Sequence, residues 1–196
     1  MWYEPEDKYL IEYYNIYRSD DQEGRKFYEL IGSTENQLNL PDTTFIDTTQ
    51  GLSTNSRHWY YVTAVTGDGV ESMPSDTVYY TLISKAGELS INNYTEVLED
   101  SIITFKWKII SKDDWPNQYY LRVEQNITAN FHPLVYIESV LGHYRERESV
   151  DLTIDNFREP VVDEGSYRWR VDCVGSEFYS GSESDWAFFT VNWSNK

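Results

Sequence analysis

A 25-residue pattern occurs twice in this chain, from His58 to Leu82 and from Tyr167 to Val191, without a gap and at an offset of 109 residues. The copies read HWYYVTAVTGDGVESMPSDTVYYTL and YRWRVDCVGSEFYSGSESDWAFFTV. Identity is confined to Val62/Val171, Val65/Val174, Ser75/Ser184, Asp76/Asp185 and Thr81/Thr190, but bulky and small apolar residues recur in the same order. A repeat spaced by about one small domain of roughly 100 residues means two modules rather than one large core. The boundaries it implies are 1–83 and 84–196.

Within each module, short alternating runs are separated by turn chemistry, and no helical period is sustained. In the second, Ile103, Phe105, Trp107 and Ile109 alternate with Ile102, Thr104, Lys106 and Lys108, the pattern of a strand with one buried face. Further strands are predicted at Tyr119 to Val123, His132 to Ser139, Val150 to Ile154, Tyr167 to Cys173 and Trp186 to Thr190. In the first they are predicted at Tyr14 to Arg18, Phe27 to Ile31, Thr44 to Asp47, His58 to Val65 and Thr77 to Leu82. Asp68-Gly69 supplies hairpin turn residues between the last two. The join falls near Leu82 to Glu88. An excess of aromatic residues, with 17 Tyr, 8 Phe and 7 Trp, agrees with an all-β chain.

These residues resemble fibronectin type III modules along nearly the whole chain. Trp107, Tyr119, Gly165, the run Tyr167-Arg-Trp169-Arg-Val171-Asp-Cys173, and Ser184-Asp-Trp186 are similar to that family's second-strand tryptophan, third-strand tyrosine, tyrosine-corner run and final strand. In the first module Trp2, Tyr14, Leu52, the run His58-Trp-Tyr60-Tyr-Val62-Thr-Ala64, and Ser75-Asp76 correspond. The offset is 105 up to Ile16/Leu121 and 109 afterwards, so the second module carries four extra residues between. The resemblance implies two tandem immunoglobulin-like antiparallel sandwiches, the first lacking its opening strand or strands. Truncation of a longer gene product and donation of a strand by a neighbouring subunit both account for that gap. The stretches Tyr14-Asn-Ile-Tyr-Arg-Ser19 and Asp68-Gly-Val-Glu-Ser-Met-Pro-Ser-Asp76 resemble modules of bacterial surface proteins and lipoproteins.

Two positions depart from the family pattern. His58 stands where the corner tyrosine is expected, and an imidazole N–H can make a similar bond to the preceding turn. Cys173 stands where a small core residue is expected, which predicts a buried, inert thiol.

Chemistry is sparse. The net charge of −17 opposes binding to nucleic acid and to anionic membrane surfaces. One cysteine rules out an intrachain disulfide framework or a thiolate-rich metal site. His58, His132 and His143 show no metal-binding spacing, and Asp20-Asp21 and Asp113-Asp114 read as turn residues rather than paired catalytic acids. Phosphate-binding glycine loops, nucleophile elbows and calcium loops are absent from the sequence. The expectation is a non-catalytic module pair with no cofactor and no bound metal.

Alternation carries one binding idea. With Tyr14, Ile16, Tyr60 and Val62 facing the core, Tyr13, Tyr17, Trp59 and Tyr61 point to the opposite face on neighbouring strands. Such a cluster stacks on sugar rings, anchors a protein partner, or simply stiffens the sheet through cross-strand pairs. The resemblance implies a spacer, adhesion or interaction unit outside the cell or in its envelope, meeting protein or carbohydrate at the surface. Its targeting segment is not found in this chain. A carbohydrate-binding accessory segment of a secreted enzyme and a subunit of a strand-donating extracellular assembly are the alternatives.

Overall fold

The structure is a computed structural model that describes residues 10–20, 27–35, 43–98, 101–111, 115–142, 147–157 and 165–192. Trp2, Asp21, Asp113, Asp114 and His143, singled out above, lie outside the described residues. The chain divides into two compact units, Met1–Leu82 and Ile83–Lys196.

Unit 1 contains β1 (Ile11–Ser19), β2 (Glu29–Ser33), β3 (Arg57–Thr66) and β4 (Val78–Leu82). They form one antiparallel sheet in the order β2-β1-β3-β4. Gly69, at φ 80°, turns the chain after β3: its N–H bonds the Thr66 carbonyl at 2.8 Å, and Thr66 N–H returns to Val70 O at 3.1 Å. That conformation is free of strain only without a Cβ.

Unit 2 begins with β5 (Ala86–Ser90) and β6 (Thr95–Leu98), then β7 (Ile103–Ile109), β8 (Gln118–Asn126), β9 (Leu134–Leu141) and β10 (Arg147–Leu152). After a 3-10 turn at Ile154–Asn156 come β11 (Gly165–Val174), β12 (Ser180–Glu183) and β13 (Ala187–Asn192). One sheet runs β10-β7-β5. The other runs β9-β8-β11, with β12 and β13 sharing the far edge of β11 and β6 lying parallel to β13. Between the sheets, Trp107 packs edge-on to Tyr119 at 5.4 Å, and Phe105 meets Trp169 at 5.0 Å and Phe189 at 5.7 Å. The Trp169 indole N–H finds the Ile91 carbonyl at 2.7 Å, satisfying its buried donor. Each of these large side chains contributes roughly 1.5–3 kcal/mol by leaving water.

The result is all-β: two facing sheets form a sandwich in unit 2, and the described residues of unit 1 form a single sheet.

The duplication holds at the level of register. In unit 1, Tyr14 opposes Ala64, Ile16 opposes Val62 and Arg18 opposes Tyr60. In unit 2 the same steps are Tyr119 with Cys173, Leu121 with Val171 and Val123 with Trp169. The identical residues of the repeat explain themselves. Ser75 N–H bonds the Val62 carbonyl at 2.8 Å while its hydroxyl accepts from Val62 N–H at 3.0 Å and donates to Asp76 O at 2.9 Å. Ser184 does the same with Val171 and Asp185, at 2.9, 3.0 and 2.9 Å. A serine therefore stands in for a ladder residue just before the last strand joins the sheet.

Two expectations change. Thr44 to Asp47 is not a strand: Asp47 turns its carboxylate inward to Arg18 and Thr49 and caps the following turn. The stretch around Ser84-Lys85-Ala86-Gly87, expected to interrupt the strands, instead opens β5, where Ala86 is buried and pairs with Ile109.

Candidate functional site

The outward, odd-numbered face of the unit 1 sheet brings the four singled-out aromatics onto one surface. Tyr17 lies directly opposite Tyr61, Trp59 opposite Ser19, and Tyr13 opposite Val65 at the far end. The Tyr17 and Tyr61 rings stack at 4.8 Å and 18°. Tyr28, just before β2, tilts against Tyr61 at 4.7 Å, and Tyr79 of β4 tilts against Trp59 at 4.9 Å. The Arg57 guanidinium sits 5.1 Å from the Tyr79 ring centre, in cation–π range. Rings thus run across β1, β3 and β4 and reach the residue before β2, partly exposed.

The same face is fixed by a carboxylate. Glu71 accepts hydrogen bonds from Tyr17 Oη at 2.9 Å, Asn15 Nδ2 at 3.2 Å and the Thr63 hydroxyl. Asn15 and Thr63 share the odd parity of Tyr17 and Tyr61, so one acid clamps two neighbouring strands. The bonds from Thr63, Asn15 and Tyr17 hold the Glu71 carboxyl below its usual range. In turn the bond to Glu71, with burial second, raises the Tyr17 phenol, and burial raises Tyr61. Tyr28, Tyr79, Arg57, Asn15, Thr63 and Glu71 were not singled out in the sequence. Strand parity extended one strand further would have found Tyr79; Glu71 lies beyond the β3 turn and carries no such signal.

The even-numbered face holds a polar cluster at one end. Arg18, buried, reaches Asp47 Oδ2 at 2.8 Å, Thr49 Oγ1 at 2.7 Å, the Gln50 carbonyl at 2.9 Å and Asp20. Tyr60 donates to Asp47 Oδ2 at 3.1 Å. His58 is buried, with Nδ1 2.7 Å from Asp20 Oδ1 and Nε2 2.9 Å from the Ser53 carbonyl. It does what the corner tyrosine was expected to do: it ties the preceding turn to the sheet. Both ring nitrogens are occupied, which leaves neither for a substrate. Burial alone would raise Asp47, but the Thr49 and Arg18 bonds outweigh it and hold the carboxyl below its usual range. Burial and the Asp47 charge push the Tyr60 phenol well above its own.

In unit 2 the outward positions equivalent to Tyr17, Ser19, Trp59 and Tyr61 are Arg122, Glu124, Arg168 and Arg170. Arg168 and Arg170 lie 4.1 and 4.8 Å from the Trp186 ring centre, Arg168 binds Glu124 at 2.7 Å, and Arg170 pairs with Glu183 and Asp172. Cys173, the chain's one cysteine, is buried. Among the described residues no group of three or more His, Cys, Asp or Glu side chains is placed to hold a metal. No helix among them is long and apolar enough to cross a membrane.

No family model and no curated protein matches the chain. Among solved structures it is similar to the FN1-FN3 domains of chicken CNTN1, a fibronectin type III tandem, at 14% identity and a TM-score of 0.32. The match covers 94% of this chain and 57% of that one, so this chain spans little more than half of that tandem.

Proposed function

We propose that the chain is a non-catalytic module pair of an extracellular or envelope protein, of the kind found on bacterial surfaces, and that unit 1 meets a protein partner through Tyr17, Tyr61, Tyr28, Trp59 and Tyr79. One observation carries this reading. At matching register positions unit 2 has Arg122, Glu124, Arg168 and Arg170, so the fold itself does not demand aromatics there. Partly exposed, pre-packed rings lose little conformational entropy on binding and are the residue types that anchor protein interfaces.

Ring geometry favours protein over sugar. Stacking on a sugar needs an open ring face, whereas Tyr61 is engaged by both Tyr17 and Tyr28, and Trp59 leans on Tyr79. What the surface offers is ring edges, an arginine at Arg57 and the Glu71 carboxylate.

The test is affinity capture from surface extracts alongside a glycan panel, each with the wild-type chain and with Tyr17→Ala, Trp59→Ala and Tyr61→Ala. The expected outcome is a protein ligand whose affinity drops about tenfold to a hundredfold in the Trp59 and Tyr61 variants, as for interface anchors worth roughly 2 kcal/mol. Retention of every interaction by all three variants would reject the surface.

A further inference from the structure

His58, the second residue of β3, is 1% exposed, yet its ring meets an acceptor at each nitrogen. Nδ1 lies 2.7 Å from Asp20 Oδ1, just past the end of β1, and Nε2 lies 2.9 Å from the Ser53 carbonyl oxygen. A carboxylate and a carbonyl only accept, so both bonds form together only on the imidazolium, whose two nitrogens both carry protons. A ring that has lost one proton keeps one of the two bonds. Ser53 also offers the alternative partner, because its backbone N–H stands 3.4 Å from the same Nε2, placed to donate once that nitrogen is bare. One residue thus presents an acceptor and a donor to one titrating atom, and the acceptor is the nearer.

We propose that His58 is a pH-sensitive latch on the segment leading into β3: as the imidazolium it clamps Asp20 and the Ser53 carbonyl together, and on losing the Nε2 proton it exchanges that carbonyl for the Ser53 N–H. Nδ1 keeps its proton in both states, because the Asp20 carboxylate has none to give it. The second state is the looser one, since a contact at 3.4 Å is beyond good hydrogen-bond length and Ser53 must turn to shorten it. Ser53 is exposed, so the exchange moves it through solvent rather than through the core. Among the described residues, Asp20 faces the ring directly, Arg18 lies 2.9 Å from Asp20 and 2.8 Å from Asp47, Tyr60 donates to Asp47, and Tyr80 of β4 stands opposite His58. Of these residue types only histidine ordinarily changes charge between about pH 5 and 8. The clamp is complete while the ring is doubly protonated and is lost as pH rises through its titration. Unit 2 has Tyr167 at the equivalent position, a residue type that ordinarily holds its proton to about pH 10, so the device belongs to unit 1. It does not depend on the aromatic surface, which lies on the other side of the sheet.

The test is a titration of the full chain from about pH 5 to about pH 9, followed by nuclear magnetic resonance of the ring nitrogens and backbone amides. Both His58 nitrogens are expected to carry protons at the acid end, Nε2 alone to lose its proton as pH rises, and the Ser53 amide to move with the same midpoint. His132, whose Nε2 lies 3.1 Å from the Ala129 carbonyl, is the internal control, and its own titration should leave Ser53 unmoved. Asp20→Asn keeps an oxygen for Nδ1 but removes its charge, and is expected to lower the His58 midpoint by about 1 pH unit. His58→Gln is expected to leave the Ser53 amide insensitive to pH. The proposal is overturned by loss of the Nδ1 proton before the Nε2 proton, by one protonation state of His58 throughout the range, or by a Ser53 amide that does not follow His58. An unmoved midpoint in folded Asp20→Asn, or an unchanged Ser53 titration in folded His58→Gln, overturns it equally. The wild-type readings decide the matter even where a variant fails to fold.

Discussion

Arg18 occupies in unit 1 the inward position that Val123 holds in unit 2, and with Asp20 and His58 it makes one end of a sheet face polar without leaving the charges alone. A buried ion pair of this kind adds little net stability over an apolar pair, but removing one partner is costly, so its value lies in fixing the 47–53 turn. Glu71 is the outward counterpart. Its carboxyl is held below its ordinary value by bonds made only in the fold. The stability it supplies is therefore complete above the unfolded value near pH 4.3 and is lost as pH falls through the folded value. Glu71→Gln should flatten this acid limb: the stability difference between wild type and variant, followed by urea denaturation from pH 7 to pH 3, is expected to shrink with falling pH. A constant difference would show that the three bonds to Glu71 do not favour its charged form. At this scale the sequence was legible where parity governs, as for Tyr17 opposite Tyr61. It was silent on Asp47 and Glu71, which act from irregular segments whose position depends on tertiary folding.

Strands β4 and β13 begin only after a serine has closed the preceding gap. Ser75 and Ser184 each exchange two bonds with a valine of the adjacent strand and a third with the next carbonyl. Ser75→Ala and Ser184→Ala should each cost about 1 kcal/mol by leaving one backbone N–H without its acceptor. The two losses should add, because the serines share no partner. Chemical denaturation of the single and double variants checks both statements. The long strands β1, β3, β7, β8 and β11 were readable because alternation persists over five residues or more. β5 and β6 were not: they are five and four residues long, and each pairs with only one neighbour. Among the described residues the stretch from Thr44 to Asp47, despite its strand composition, pairs with no strand, and its acid serves Arg18.

As a whole the chain is a duplication in which, among the described residues, unit 2 closes a core between two sheets and unit 1 forms a single sheet. Among the described residues the fully buried aromatic side chains Trp107, Trp169, Tyr119, Tyr167, Phe105 and Phe189 all belong to unit 2. Local opening is cheapest where few apolar side chains are covered. Amides of β3 are thus expected to exchange faster than those of β11, by about tenfold or more for a difference of roughly 1.4 kcal/mol, in hydrogen exchange of the free chain at pH 7. Equal protection would mean that unit 1 is closed in solution. The two-module plan itself could be read from the offset of 109, since packing keeps the inward residues alike even when few are identical. The difference between the outer faces could not, because nothing in the fold constrains them. That freedom makes the outward positions of β8 and β11 a graft site. Tyrosine and tryptophan set at Arg122, Arg168 and Arg170 would meet the same backbone spacing that Tyr17, Trp59 and Tyr61 already use, so a surface evolved on one copy is portable to the other.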